Sequence, residues 1–340
     1  MDGRVKPGHD DGDLDWYSGV NTREAYMPGI KVTDIAYGRL RSPDLDQAEE
    51  FLTDFGMVRA ARTPTALYMR GSDPQHHIHV TERGEPKFLG MAFHAQDEDA
   101  LKAAAKLPGA SGVETIDEPG GGKRVRLTEP NGYTIEVVHG MAPVSPIAVP
   151  RLPTNSGDEP LRRAGRLMRP KKGPTTVKKI AHGVMATSRL KETLAWFRAN
   201  LGLISSDDVY EGGKDNIVAS FNRCDRGETY VDHHVFFCMA NERTGLNHFS
   251  FEVADIDAVF IDHEYLKSKK KYEHVWGIGR HMLGSQVYDY WSDPWGRVHE
   301  HWADSDRLNI HNGSNLVTRE DMPSQWGDPT PQRMMQAICP

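Results

Sequence analysis

The chain has 340 residues, of which 26% are charged and 38% hydrophobic, and its formal net charge is −7. This composition is typical of a globular protein of about two domains, and the acidic balance argues against nucleic-acid binding. Only three scattered cysteines occur, and the sequence contains neither an 18-residue apolar run nor a signal peptide, which together predict a cytoplasmic protein with no membrane span.

Composition and internal similarity divide the chain into five segments. A flexible N-terminal tail is predicted at residues 1–27, which are rich in Asp and Gly, and a C-terminal tail at 309–340, which lacks periodicity. A proline-rich linker is predicted at 143–174. It separates an N-terminal module at 28–142, expected to hold no metal, from a C-terminal catalytic module at 175–308.

The two modules repeat three blocks in the same order, which is the signature of a duplicated fold. The first block is a strand followed by an amphipathic helix that ends at glycine. The second is an apolar strand that leads into an aspartate-capped helix, and the third is a Pro/Gly turn before a strand that carries a glutamate. The blocks occupy residues 34–56, 89–101 and 128–136, and again 179–202, 247–259 and 292–300.

Comparison of the blocks identifies a candidate metal site in the second module alone. Two histidines and one carboxylate on separate strands form a facial triad that leaves three positions open on iron(II). A catechol would occupy two of these positions through its paired oxygens, and dioxygen would occupy the third. The candidate ligands and their first-module counterparts are His182 and Tyr37, His248 and Gly90, and Glu300 and Glu136.

Around these residues the sequence resembles the type I extradiol ring-cleaving dioxygenases of the vicinal oxygen chelate superfamily, over about residues 30–310. The most specific part of the match comprises 279–281, Tyr290, 293–296 and Glu300. One departure is Asp289, which stands where that family usually has an apolar residue. The resemblance implies an α+β fold of two tandem modules, each made of paired βαβββ units that form a partly open barrel.

The resemblance also implies the catalytic residues. His281 and Tyr290 would orient the substrate oxygens, and a histidine about fourteen residues before His248 would transfer protons. Both His233 and His234 lie near that distance, and we favour His234 because an apolar strand follows it directly.

The predicted function is therefore meta-cleavage of a catechol-type aromatic with Fe(II) and dioxygen, in aromatic catabolism. The expected partners are the catecholic substrate and dioxygen, and a homo-oligomer is expected from the family. Mn(II) is the alternative metal. The alternative functions are a glyoxalase-like metal-dependent isomerase or lyase, and a non-catalytic module that binds an aromatic ligand. The identity of the catechol and the choice between proximal and distal cleavage stay open.

Overall fold

A computed structural model describes residues 29–340, so the tail predicted at residues 1–27 lies outside the described part of the chain. The first module consists of two βαβββ units in tandem. The first unit comprises β1 (Val32–Ser42), α1 (Leu45–Asp54), β2 (Val58–Arg62), β3 (Ala66–Arg70) and β4 (His79–Arg83). The second comprises β5 (Lys87–Ala95), α2 (Glu98–Ala104), β6 (Glu114–Thr115), β7 (Lys123–Thr128) and β8 (Thr134–His139).

The second module repeats this arrangement with longer elements. Its first unit comprises β9 (Lys179–Thr187), α3 (Leu190–Leu201), β10 (Leu203–Tyr210), β11 (Ile217–Cys224), the short β12 (Val231–Asp232) and β13 (Phe236–Ala240). Its second unit comprises β14 (Gly245–Glu252), α4 (Ile256–Lys269), β15 (His274–Arg280), β16 (Val287–Ser292) and β17 (Val298–Ala303). The chain continues through β18 (Arg307–Leu308), β19 (Asn315–Thr318) and α5 (Gln332–Gln336).

Each module forms one open sheet in which the first strands of its two units lie side by side. The strand order is β2-β3-β4-β1-β5-β8-β7-β6 in the first module and β15-β16-β17-β14-β9-β13-β11-β10-β19 in the second. The central pairs β1–β5 and β9–β14 are antiparallel. The predicted α+β fold of two tandem modules with paired βαβββ units is confirmed.

Strand register repeats between the modules. In both modules, the residue at the second candidate position pairs across the sheet with the residue two places after the first candidate position. The residue at the third candidate position pairs with the residue two places after the second candidate position. The register therefore agrees with the pairing of positions inferred from the repeated blocks. These positions are Tyr37, Gly90 and Glu136 in the first module, and His182, His248 and Glu300 in the second.

Helix ends follow the predicted signals. Asp97 and Asp255 cap α2 and α4, because each carboxylate accepts a hydrogen bond from the backbone N–H three residues later. Gly202 ends α3 in the left-handed conformation with a φ of 69°, which glycine adopts without a steric penalty.

Both modules contribute to one continuous hydrophobic core. The central strands β1 and β9 contact each other across the module interface. Gly38 and Gly183 occupy equivalent places on these strands. A Cβ on Gly38 would overlap the buried ring of Phe249, and one on Gly183 would approach Met91 at 2.9 Å and Phe249 at 3.1 Å. The two glycines therefore leave room for the side chains of Phe249 and Met91 at the interface between the modules.

We expect Gly38→Ala to lower the free energy of unfolding by about 1–3 kcal/mol, because an extra methyl group in a filled core forces its neighbours out of place. Urea denaturation of both proteins measures the difference. Gly213→Ala is the matched control, since nothing lies within 4 Å of a Cβ at that position, and its effect should stay within about 0.5 kcal/mol. Equal effects of the two substitutions would contradict the role given to Gly38.

The segment predicted as a C-terminal tail packs against the second module. β19 extends the second sheet beside β10, and a β-bridge joins Leu246 to Cys339. The backbone N–H of Phe88 in the first module donates to the carbonyl of Pro340. Within residues 29–340, none of the helices has the length and apolar character needed to traverse a lipid bilayer.

Candidate metal centre

Three side chains from three neighbouring strands meet in the second sheet. His182 lies on β9, His248 on β14 and Glu300 on β17, and these strands are adjacent in the sheet. The Nε2 atoms of His182 and His248 lie 3.2 Å and 3.5 Å from Oε2 of Glu300. All three side chains are buried, and Glu300 is 0% exposed. The structure therefore brings the three predicted ligands together.

The donor atoms of this cluster suit a divalent metal ion. Among residues 29–340, Nε2 of His248 and both carboxylate oxygens of Glu300 are buried without a hydrogen-bond partner. A buried carboxylate is costly unless a cation or hydrogen bonds compensate it. Ligand atoms held about 2.1 Å from one ion lie roughly 3.0–3.4 Å apart, close to the separations found here. The residues present thus fit a first-row metal bound by two imidazoles and a carboxylate.

Protonation equilibria favour the metal-binding forms. Burial would raise the pKa of Glu300, but the imidazoles of His182, His248 and His281 outweigh burial and hold that pKa well below its ordinary value. Burial lowers the pKa of His248. Since a metal binds ionised carboxylates and neutral imidazoles, both shifts favour coordination.

Asn247 orients the second histidine. Its Nδ2 donates to the carbonyls of Met334 and Ala337, so its Oδ1 faces Nδ1 of His248 at 2.7 Å and accepts a hydrogen bond from it. Nδ1 of His248 therefore carries the proton, and Nε2 keeps its lone pair for a metal. Neighbouring side chains on a regular strand face opposite sides, and the contact lies at a register shift between Leu246 and His248. No sequence signal pointed to Asn247.

The two candidate acid–base histidines, His233 and His234, are within hydrogen-bond distance of each other. Asp207 can only accept, so Nε2–H of His233 donates to its Oδ2 at 2.7 Å. Nδ1 of His233 lies 3.1 Å from Nδ1 of His234, and with Nε2–H as the donor to Asp207 it can accept a hydrogen bond from Nδ1–H of His234. This leaves the lone pair of Nε2 on His234 available, and the ring of His234 lies 4.0 Å from that of His182.

His233 and His234 differ in what they contact. His234 contacts a candidate ligand, whereas His233 and Asp207 stand behind it. Burial, with a further contribution from His182, lowers the pKa of His234 well below its ordinary value, so its imidazole is neutral and its unprotonated nitrogen can accept a hydrogen bond. The role of Asp207 was missed in the sequence, where a lone aspartate on a strand carries no signal.

His281 and Tyr290 lie beside Glu300. Nε2 of His281 is 2.8 Å from the hydroxyl of Tyr290 and 3.5 Å from Oε1 of Glu300. Burial and the nearby Glu300 carboxylate raise the pKa of Tyr290 well above its ordinary value, so the phenol stays protonated and can donate. Trp276 stacks on Tyr290, with ring centroids 5.3 Å apart. Aromatic side chains therefore border the candidate metal centre.

The equivalent place in the first module is a cavity lined by ion pairs instead of histidines. Glu136 accepts a hydrogen bond from Tyr37 and pairs with Arg124 at 3.2 Å and Arg39 at 3.4 Å. A Cβ at Gly90 would overlap the backbone carbonyl of Thr134, and the φ of Gly90 is 148°. Among these contacts in the described chain, arginines and a tyrosine face Glu136 at the place where histidines face Glu300 in the second module.

A protein-family model and curated relatives both match the chain. Residues 34–137 match the model of the Glyoxalase/Bleomycin resistance protein/Dioxygenase superfamily. The chain is similar to Metapyrocatechase 2 of Cupriavidus necator, with 28% identity over 312 residues that span 91% of this chain and 93% of that protein.

Solved structures share the fold. The Mn(II)-bound glyoxalase from Novosphingobium aromaticivorans is 22% identical, has a TM-score of 0.73, and aligns over 89% of this chain and 94% of its own. Homoprotocatechuate 2,3-dioxygenase from Brevibacterium fuscum, in complex with 3,4-dihydroxyphenylacetate, is 17% identical, also with a TM-score of 0.73, over 92% of this chain and 94% of its own.

Proposed function

We propose that this chain, whose residues 34–137 belong to the Glyoxalase/Bleomycin resistance protein/Dioxygenase superfamily, is an extradiol dioxygenase. It would use Fe(II) and dioxygen to cleave a catechol-type ring beside its vicinal hydroxyls. The observation that carries the proposal is the cluster of His182, His248 and the buried carboxylate of Glu300, which has no hydrogen-bond partner in the described part of the chain. His234 and the His281–Tyr290 pair flank this cluster. The similarity to Metapyrocatechase 2 supports it.

Three protein ligands would hold the metal. When bound, the ion would supply a centre at which both substrate oxygens and dioxygen meet in a fixed orientation. Imidazole and carboxylate donors suit Fe(II) and Mn(II), and Fe(II) is proposed because it can pass electron density to dioxygen. Both atoms of dioxygen enter the product of catechol cleavage, so the reaction balances without an external reductant.

The remaining residues bind the substrate and move protons. His281 and Tyr290 would hydrogen-bond the two substrate oxygens, and the raised pKa of Tyr290 keeps it a donor. The neutral imidazole of His234 would accept a substrate proton at Nε2 and return it as the ring opens. His233 and Asp207 would keep the Nδ1 proton of His234 in place.

The three cysteines, Cys224, Cys238 and Cys339, are free. Free thiols suit a reducing compartment, which supports the proposal of a cytoplasmic enzyme. A homo-oligomeric state is proposed from the family resemblance, and size-exclusion chromatography with light scattering measures it.

The test of function is oxygen consumption. Protein stripped of metal is loaded anaerobically with Fe(II), or with Mn(II) in parallel, and mixed with monocyclic, bicyclic and trihydroxy-aromatic catechols. We expect one dioxygen consumed per substrate and a yellow ring-opened product. Absence of oxygen uptake with either metal across the panel would overturn the proposal. A glyoxalase-like isomerase would turn over its substrate without dioxygen, and a binding module would take up the catechol unchanged.

We expect Tyr290→Phe to lower kcat/KM about 10–100-fold while iron content stays near one per chain, because a hydrogen bond to a charged substrate oxygen contributes about 1.5–3 kcal/mol. Steady-state kinetics and metal analysis measure both quantities. Tyr133→Phe is the control, since this tyrosine donates to the carbonyl of Thr244 at 3.3 Å, away from the centre. Loss of iron in Tyr290→Phe would show a structural role instead.

A further inference from the structure

We propose that His263, His274 and Asp289 form a second divalent-metal site, of the zinc type, on the opposite face of the second sheet. His263 lies on α4, His274 on β15 and Asp289 on β16. Successive side chains of a strand point to opposite faces, so Asp289 points away from the face that its neighbour Tyr290 presents to Glu300. The aspartate that departs from the family pattern thus lies in a cluster of its own.

The ligand atoms already have the spacing of a metal site. Nδ1 of His263 lies 3.2 Å from Oδ1 of Asp289, and Nε2 of His274 lies 2.8 Å from the same oxygen. All three ligand atoms lie within 4.8 Å of one another. Tetrahedral ligands about 2.0–2.1 Å from zinc are roughly 3.3 Å apart, so small side-chain adjustments would suffice to bind the ion.

The carboxylate of Asp289 is held in a fixed orientation, as metal-binding carboxylates usually are. Asp289 is fully buried, and Nε1–H of Trp291 donates to its Oδ2 at 2.5 Å. This hydrogen bond fixes the carboxylate plane and directs Oδ1 toward the two imidazoles, as the partners of metal-binding carboxylates do. Burial would raise the pKa of Asp289, but His263 and His274 outweigh it and hold the pKa below its ordinary value, so the oxygen is ionised.

Access and donor type are compatible with zinc. The side chains of His263 and His274 are 15% and 32% exposed, which gives an ion a route from solvent and leaves a fourth position for water. Two imidazoles and one carboxylate with an open fourth position suit Zn²⁺. The ion would tie α4 to the β15–β16 hairpin, whose second strand carries Tyr290.

The alternative is a purely ionic cluster in which protonated histidines neutralise Asp289. A metal and protons compete for the same nitrogens, so zinc binding distinguishes the two. The test uses His182→Ala/His248→Ala protein, in which the first centre cannot bind. After chelator treatment and dialysis, we titrate it with ZnCl₂ by calorimetry and count zinc by elemental analysis.

We expect one zinc per chain in that background and loss of this equivalent when His274→Ala is added. The affinity for zinc should fall more than the roughly 10–100-fold that loss of a residue supporting a metal ligand costs. His311→Ala is the matched control, because this histidine is exposed and outside the cluster, and it should keep the zinc. Asp289→Asn and His263→Ala provide independent variants if one fails to fold, as judged by circular dichroism.

Zinc below 0.2 equivalents in the background protein, or zinc retained after His274→Ala, would overturn the proposal; the cutoff of about 0.2 allows for trace metal. Zinc counting does not depend on turnover, so failure of the dioxygenase proposal leaves this result interpretable. In the His182→Ala/His248→Ala background, zinc should raise the melting temperature, and adding His274→Ala should abolish that rise.

Discussion

Glu300→Gln is expected to remove the metal and reduce turnover to below about 1% of the native rate. The carboxylate faces two imidazole Nε2 atoms at 3.2 Å and 3.5 Å without any hydrogen-bond partner in the described chain. An amide keeps the shape but loses the charge that compensates the ion, so metal affinity should fall by more than about 10–100-fold. Elemental analysis of iron after desalting and oxygen uptake measure the two effects.

The first module supplies the control for this prediction. Glu136→Gln changes the same residue type at the equivalent position, where arginines and Tyr37 surround the carboxylate. It should leave iron content and turnover unchanged while lowering stability, because the arginines lose an ionic partner. A Glu300→Gln protein that kept one iron per chain and cleaved catechols would contradict the ligand assignment.

His234→Gln is expected to keep iron and lose about 10²–10⁴-fold in kcat. Removal of a positioned acid–base group typically costs this factor, which corresponds to about 2.7–5.4 kcal/mol of activation free energy. Glutamine can fill the space beside His182 and accept a hydrogen bond, but it cannot take up a proton near neutral pH. Single-turnover kinetics under saturating dioxygen, with parallel iron analysis, separate chemistry from metal loss.

His233→Gln tests the role of His233 as the residue that supports His234. Since His233 holds the Nδ1 proton of His234 and contacts Asp207, its loss should lower kcat less than His234→Gln does, shift the pH profile of kcat, and leave KM nearly constant. Asp207→Asn should act in the same direction. If His233→Gln cost more than His234→Gln, the acid–base role would pass to His233.

Much of the site was predictable because the fold is duplicated. With 16 histidines in the chain, no single one is informative, but the repeated blocks selected His182 and His248 by contrast with Tyr37 and Gly90. Strand periodicity then implied that the three ligands share a face. The register between the strands repeats between modules, which is why an alignment of blocks sufficed to place the candidate ligands.

Other parts depend on contacts that no local pattern encodes. Asn247 reaches His248 through a strand irregularity and is held by carbonyls about 90 residues later in the chain. Asp289 was noticed only as a departure, because its partners His263 and His274 come from a helix and a neighbouring strand. Such arrangements arise from packing between elements, and sequence spacing does not reveal them.

The backbone at Gly90 prevents the first module from gaining, by simple substitution, a histidine at the position equivalent to His248. Its φ of 148° and the carbonyl of Thr134 leave no room for any side chain, so a histidine there would require the strand itself to move. Restoring a second reaction centre would also need a new residue at Tyr37 and the removal of two arginines. A second centre would therefore be gained more simply by copying the second module together with residues 309–340, because Asn247 beside His248 is held by the carbonyls of Met334 and Ala337.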